Sequence, residues 1–567
     1  MKKTATLFLA GVMALLLASC AGTLKPLDSK QVTVDPQPLV LQGGQVPATI
    51  TVRFPAKWFN KNATVRITPV LKYATGEKWG TAYTFQGESV RGNAQTVAFK
   101  TPSTHVLNSD FPWDPAMRNS ELVLMFNATI KGKTVNLPDL KIGEGVIATE
   151  SLADARFVTP AIAPDKFQRI IKENYDANIH FLIQQANLRS GELNSADVRE
   201  WKNIVESAHI TPNQKVDVEV QAYASPDGGL ELNEKLAERR EQNTSDYLRR
   251  ELKRMDVDAP VAAHYTAQDW EGFKALVEQS NLQDKDLVLR VLAMYPDPEV
   301  REREIKNISS VFSQLADEIL PQLRRSRLVA NIQIIGKSDK EISDLAATRP
   351  AQLSIDEILY AATLTDDRGA QEKIYSTTTS LFPRDYRAFN NLGVLAYQNE
   401  NYGLAAQYFD KAQAVASAAG VTAEEVQMNQ GLLKLQSGDL SQGKTLIGQV
   451  SNVPEVNEAL GLIYMQEGRY AEAARELYNT PTNNGILAQI LNQDYNRAMQ
   501  LLEQVVRPDA QTHYLRALIG ARTAQTDLVS EGLTAAVQAD PSLALRLKDD
   551  RDFAKYRTMP FFSTLVR

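Results

Sequence analysis

The chain has 567 residues, 43% hydrophobic and 23% charged; that balance excludes a disordered chain and leaves room for about four domains of roughly 150 residues. Lys and Arg number 62 against 68 Asp and Glu, and the resulting charge of −6 argues against a general nucleic-acid binder. The single cysteine excludes an intramolecular disulfide and a multi-cysteine metal site, and His105, His180, His209, His264 and His513 lie too far apart for metalloprotease spacing.

Residues 1–20 read MKKTATLFLAGVMALLLASC. Lys2 and Lys3 precede an apolar run from Leu7 to Leu17 that is too short for an ordinary transmembrane helix. By themselves these residues fit a secretory signal with or without a role for its cysteine. Leu17-Ala18-Ser19-Cys20 resembles the lipobox of bacterial lipoproteins. The resemblance implies a signal peptide over 1–19, cleavage before Cys20, acylation of its thiol and new amine, and a lipid-anchored linker over 20–30. Each acyl CH₂ buried in the bilayer contributes about 0.8 kcal/mol. Ala21 stands where the inner-membrane retention signal of enteric bacteria has Asp, and no acidic cluster follows. The implied location is therefore the outer membrane, on its periplasmic face.

Residues 31–150 carry short alternating runs such as Ala48–Val52, Thr64–Val70 and Leu122–Phe126, punctuated by Gly, Asn and Pro. Period-two alternation predicts an all-β sandwich of immunoglobulin-like type, with Trp58, Trp79 and Trp113 in its core or rim. This region reads as a spacer or as a partner-binding face. Gly143-Glu144-Gly145-Val146-Ile147-Ala148 matches a loose dinucleotide pattern. The upstream region is β-rich and Pro160 and Pro164 break the chain soon afterwards, so the strand–turn–long helix that a dinucleotide site needs is missing. No cofactor and no metal are expected.

Residues 165–340 predict an α+β domain. Ile179–Ile183, Val216–Tyr223, Val261–Tyr265 and Leu328–Ile335 read as strands. Ser195 caps a helix to about Ser207, a long helix runs from about Glu231 to Met255, and a helical insertion fills 269–323. On a helical wheel with Leu236 at zero, Arg240 falls near 40°, within the stripe formed by Ala237, Thr244, Tyr247 and Leu248. A guanidinium aimed at a sheet is costly without a partner. Three readings stay open: capture of an acidic ligand group near the 224–229 turn, an internal salt bridge such as one to Asp227, or a snorkelling side chain.

Tyr223-Ala224-Ser225-Pro226-Asp227-Gly228 followed by Asn233-x-x-Leu236-x-x-Arg239-Arg240 resembles the peptidoglycan-binding domain of the OmpA/MotB-like family. Ala186-Asn187-Leu188 and Arg324-Arg325-Ser326-Arg327 extend the likeness over about 160 residues. The resemblance implies peptidoglycan contact through Asn233, the turn residues and Arg240. In that family a turn Asp pairs with the ammonium of diaminopimelate and the helix Arg with its carboxylate. By spacing, the Asp position falls on Ser225, and Asp227 stands two residues later. Ala237 replaces the usual Ser and Glu241 the usual Ala.

Residues 350–567 carry Gly and aromatic residues at helical-hairpin spacing. Phe389, Leu392, Gly393, Tyr402, Ala405, Phe409 and Ala412 make one unit; Gly461, Tyr464, Gly468, Tyr470, Ala473 and Leu477 make another. Gly431, Gly438, Leu440 and Ile447 lie between them, 353–382 reads as an earlier hairpin, and Tyr495, Ala498 and Leu502 as a later one. These units resemble tetratricopeptide repeats, whose period is about 34 residues. Stacked hairpins imply an all-α solenoid with a concave groove for a peptide or partner helix. The domain combination is similar to lipoproteins of Bacteroidota envelopes, which often serve large outer-membrane machines. GxSxG and HExxH motifs are lacking, as is a cysteine outside the signal region that could serve as nucleophile. The expected protein is a non-enzymatic lipoprotein of the outer membrane that contacts peptidoglycan and recruits envelope or outer-membrane proteins through its repeats. The alternative is a scaffold subunit of a secretion or β-barrel assembly machine whose OmpA-like domain no longer binds peptidoglycan.

Overall fold

The computed structural model describes residues 24–282 and 284–567. The expected signal peptide, Cys20 and the first part of the linker lie outside the described residues. The chain divides into two compact units. One comprises the described residues through Pro164 together with Asp367–Arg567; the other is Asp165–Asp366. The β-rich region and the helical repeats thus form a single unit. The division after the central region falls at 366 rather than at the expected 350, because helix Ile355–Ala361 packs on helix Asp339–Thr348. Tyr360 secures that packing, donating its hydroxyl to Asp339 at 2.9 Å and stacking on Phe167 with centroids 4.5 Å apart.

In the β-rich region, strands Val32–Asp35, Gln45–Phe54 and Ser103–Pro112 form one antiparallel sheet. A larger sheet is built on Ala63–Tyr73 and Ser120–Ile130, which pair antiparallel along their whole lengths. Alternate residues of Gln45–Phe54 point inward: Val46, Ala48, Ile50, Val52 and Phe54 are all buried. They share one core with Val65, Ile67, Leu122 and Leu124 of the larger sheet, the two-layer solution that period-two alternation imposes. Trp58 stacks on Phe54 at the core, whereas Trp79 is 56% exposed. The glycine-rich match at 143–148 spans the end of strand Leu140–Glu144 and the two-residue strand Val146–Ile147, and only a short 3-10 turn, Thr149–Leu152, follows.

In the central unit the sheet order is Ile170–His180, Arg325–Ile335, Gln214–Tyr223, Val261–Thr266. The first three strands are antiparallel neighbours, and the last pair is parallel and joined through helix Leu230–Arg254. Helices Ala196–Ile210 and Leu230–Arg254 bury Trp201, Val205, Leu248 and Leu252 against Val218, Val220 and Leu328. Ser195 caps the first by accepting the Val198 N–H at 3.3 Å. The strand expected at 179–183 instead begins at Ile170 and ends at His180. Gln184 has positive φ, and Leu182 and Ile183 turn outward. The insertion forms helices Trp270–Gln279, Lys285–Met294 and Pro298–Asn307 around a small core of its own that includes Phe273, Val288 and Leu323.

In the repeat region, helix pairs run from Arg387–Gln398 with Tyr402–Ala418 through Glu424–Gln436 with Leu440–Ile447, Val456–Gln466 with Tyr470–Glu476, and Asn483–Leu491 with Tyr495–Glu503, to Ala510–Arg522 with Thr526–Ala539. Gly393, Gly431 and Gly461 hold the same place in successive hairpins. A Cβ there would collide with Phe409, Ile447 and Leu477 of the paired helix. Small residues at these positions therefore set how closely the two helices of each hairpin approach. Gly393→Val is expected to lower unfolding stability by about 1–3 kcal/mol through overpacking, whereas Gly403→Ala, which faces open space, is not. Urea unfolding followed by circular dichroism distinguishes them.

Candidate functional site

The residues expected to contact peptidoglycan meet at the turn between strand Gln214–Tyr223 and helix Leu230–Arg254. Ser225 donates its hydroxyl to Asp227. Arg324, from the end of the insertion, donates to Asp227 Oδ2 at 3.1 Å and to Ser225 Oγ at 3.3 Å. Asn233 is buried and spends its amide on the carbonyls of Ser225 at 3.0 Å and Gly228 at 2.9 Å. It thereby holds the turn against the first turn of the helix. Lys306 adds a further donor to the Asp227 carbonyl at 3.4 Å. The basic run at 324–327 was the sequence signal for Arg324, but nothing in the spacing linked it to Asp227.

Arg240 is 0% exposed. Its Nε donates to the Gln185 carbonyl at 2.9 Å, one terminal nitrogen to the Tyr223 carbonyl at 2.7 Å, and the other to the Leu182 carbonyl at 3.4 Å. The guanidinium carbon lies 4.8 Å from the centroid of the Phe181 ring. None of the three readings open in the sequence describes this arrangement. Arg324 takes Asp227, and Arg240 closes the chain after strand Ile170–His180 onto the end of strand Gln214–Tyr223. Burial, with the Arg324 charge nearby, brings its pKa down to about 10 against the opposing pull of Asp227. Arg240→Ala takes a donor from three chain carbonyls, of which Leu182 keeps the Gln185 N–H at 3.1 Å, and is expected to cost about 2–3 kcal/mol. Hydrogen exchange across helix Leu230–Arg254 in the full chain measures that loss.

A second set of polar side chains lines the groove along the first helices of the hairpins, and it is occupied by the chain itself. Residues 149–164 run across the first helices of successive hairpins. Asn391 accepts the Ala163 N–H at 2.9 Å and returns its amide to the Ala163 carbonyl at 3.1 Å. Asn429 does the same to Ala161, both at 2.8 Å. Asn484 accepts the Asp154 N–H at 3.2 Å and donates to its carbonyl at 2.8 Å. Asn390 adds a bond to the Ala161 carbonyl at 2.9 Å, and Tyr397 donates to the Ala155 carbonyl at 2.7 Å.

Glu458 accepts the Thr159 N–H at 2.9 Å. Leu152, Ala155, Val158 and Ala161, at every third residue, are buried in the core of the repeats. Upstream, the buried Glu150 carboxylate accepts the Gly43 and Gly44 N–H groups at 2.7 and 3.0 Å and the Tyr470 hydroxyl. The groove residues escaped the sequence reading, although Asn391 and Asn429 each stand two residues before the helix-packing glycines Gly393 and Gly431.

Burial raises the Glu458 pKa, only partly offset by the Thr159 hydrogen bond. A carboxyl with a raised folded-state pKa binds its proton more tightly in the native state, so the stability it contributes falls as pH rises through that titration. Glu458→Gln keeps an accepting oxygen without the charge. It is expected to be more stable than wild type at pH 7, and the difference should close as pH falls below the range of an ordinary carboxyl. Urea unfolding of both proteins at pH 7 and pH 4 tests this.

Residues 368–420 match the family model described as tetratricopeptide repeat. No curated protein matches the chain. Among solved structures, a tetratricopeptide repeat protein from Parabacteroides merdae aligns at 12% identity over 38% of this chain and 90% of its own, with a TM-score of 0.28. Pseudomonas aeruginosa pilF aligns at 15% identity over 39% of this chain and 99% of its own, with a TM-score of 0.28. Yeast Tom70 aligns at 11% identity over 58% of this chain and 77% of its own, with a TM-score of 0.24. The C-terminal region is all-α, a run of helix hairpins that matches the tetratricopeptide-repeat model over 368–420, and it is preceded in the chain by a β-rich region.

Proposed function

We propose that this protein is a non-enzymatic scaffold of the bacterial envelope, tethered by an acylated Cys20 to the periplasmic face of the outer membrane and recruiting envelope or outer-membrane proteins through its tetratricopeptide repeats. In this reading residues 31–150 are an immunoglobulin-like sandwich and the central unit is an OmpA-like domain kept for its fold. The repeat array supports the scaffold role, because stacked hairpins present extended protein-binding surfaces. One observation supports this reading of the central unit. Arg240, which would hold the ligand carboxylate in a peptidoglycan-binding relative, has its guanidinium committed to the carbonyls of Leu182, Gln185 and Tyr223 and is 0% exposed.

A second reading, peptidoglycan contact, is favoured by the cluster of Asp227, Arg324 and Lys306 at the same turn. A ligand carrying both an ammonium and a carboxylate could meet charges of both signs there.

Two measurements test the proposal. Wild type is expected in the outer-membrane fraction and Cys20→Ser outside it; a wild-type chain found free of membranes would end the tethering account. On immobilised muropeptides, wild type and Asp227→Ala are expected to be retained equally and negligibly. Retention that Asp227→Ala abolishes would establish the second reading instead.

A further inference from the structure

We propose that the concave face of the repeats is a binding site for extended peptides with a small apolar residue at every third position, and that residues 149–164 occupy it as its resident ligand and close it to other chains. This deepens the scaffold reading, since it concerns the same array. Its test reads occupancy of the groove rather than recruitment of partners, so either can fail alone.

The ligand class follows from what the groove touches. Asn391, Asn429 and Asn484 bind N–H and C=O of Ala163, Ala161 and Asp154, groups that every residue but proline carries. They therefore fix backbone direction and register without reading side chains. Selection comes from the spacing of the buried positions. Leu152, Ala155, Val158 and Ala161 recur with the three-residue repeat of 3-10 and polyproline II backbone. Ala155 and Ala161 are 3% and 0% exposed, so a larger side chain at either place would hold the backbone beyond reach of the amides.

Prolines fit where they stand. Pro160 and Pro164 alternate with the residues whose N–H groups are bound, Thr159, Ala161 and Ala163, so the missing donors are not called upon.

Closure follows from covalent attachment. A tethered segment acts at an effective concentration of the order of 1 mM. If the same contacts gave a Kd of about 10 μM in trans, the tethered segment would weaken an incoming peptide roughly a hundredfold. A partner must therefore carry a better match to this pattern, or dock on the array elsewhere.

The test uses a fluorescent synthetic peptide of residues 149–164, the full chain, and a variant whose own segment no longer fits, Ala155→Arg with Ala161→Arg. Fluorescence anisotropy is expected to give binding to the variant at least about a hundredfold tighter than to wild type. Adding Asn391→Ala and Asn429→Ala to that variant should weaken it tenfold or more. Equal affinity for wild type and variant, or no binding by a variant that keeps the wild-type circular dichroism, would overturn the proposal. Should the variant not fold, hydrogen exchange on wild type decides. The amides of Asp154, Thr159, Ala161 and Ala163 are expected to exchange as slowly as those of helices Arg387–Gln398 and Glu424–Gln436, and exchange at the rate of free peptide would refute occupancy.

Discussion

An extended chain laid into a protein core brings its own peptide groups with it, and each must find a partner there. A helix cannot supply one from its backbone, because its N–H and C=O groups are already bonded along the axis. The solution along residues 149–164 is the asparagine side chain, which carries one donor group and one acceptor and so answers both polar groups of a single residue. Asn391, Asn429 and Asn484 each do this from a different hairpin, standing in for the neighbouring strand that the segment lacks. Each such bond contributes about 1 kcal/mol net, but leaving the same buried group unmet costs about 1–3 kcal/mol. The ladder is therefore stronger as a constraint on register than as a source of stability.

That constraint explains why a β-rich region and a helical array count as one compact unit. The segment leaves the β-rich region at Val146–Ile147, which pairs in parallel with Leu39–Val40. At once Glu150 ties Gly43, Gly44 and Tyr470 to one carboxylate. Gly43 has φ of 60° and Gly44 of 70°, a conformation that turns their consecutive N–H groups toward the same anion and that side chains resist. Just before Glu150, Thr149 donates to Asp552, whose other oxygen Arg522 holds. The polar bonds at the start of the segment and the amide ladder beyond it fasten it at both ends, and the period-three apolar residues fill the span between.

Local signals were legible in the sequence and distant ones were not. Alternation in Ala48–Val52 announces a strand because each inward residue declares its face independently of any partner, and the structure extends it to Gln45–Phe54. Gly393, Gly431 and Gly461 announced helix hairpins because the collision they avoid lies within one repeat. The wheel placed Arg240 on the buried face correctly, since direction is a property of the helix alone, but what it would meet depended on how the chain turns after His180. The segment 149–164 carries a local signal only at Pro160 and Pro164, which read as a break in the chain. Its partners lie in the repeats, hundreds of residues away, and a three-residue spacing of Leu, Ala and Val is a faint pattern in a chain rich in all three. Asn391 and Asn429 carried a usable signal, a fixed offset from a packing glycine, that gained meaning only with an extended chain beside it.

Arg240 and the asparagine ladder answer the same physical problem with different groups. Arg240 bonds carbonyls only, because a guanidinium has donors and no acceptor, and those carbonyls belong to the end of strand Gln214–Tyr223 and to the turn that follows strand Ile170–His180. Its charge also rests under Phe181 with Arg324 near enough to oppose it, so an incoming carboxylate would gain an ion pair only by first breaking the bonds that hold this turn. The asparagines by contrast hold a segment with no hydrogen-bonded strand on either side, through neutral groups that water can replace on both partners. Of the two polar sites, the groove is the one whose occupant is held by side chains rather than by a paired strand, with Leu152, Ala155, Val158 and Ala161 buried in the core of the repeats.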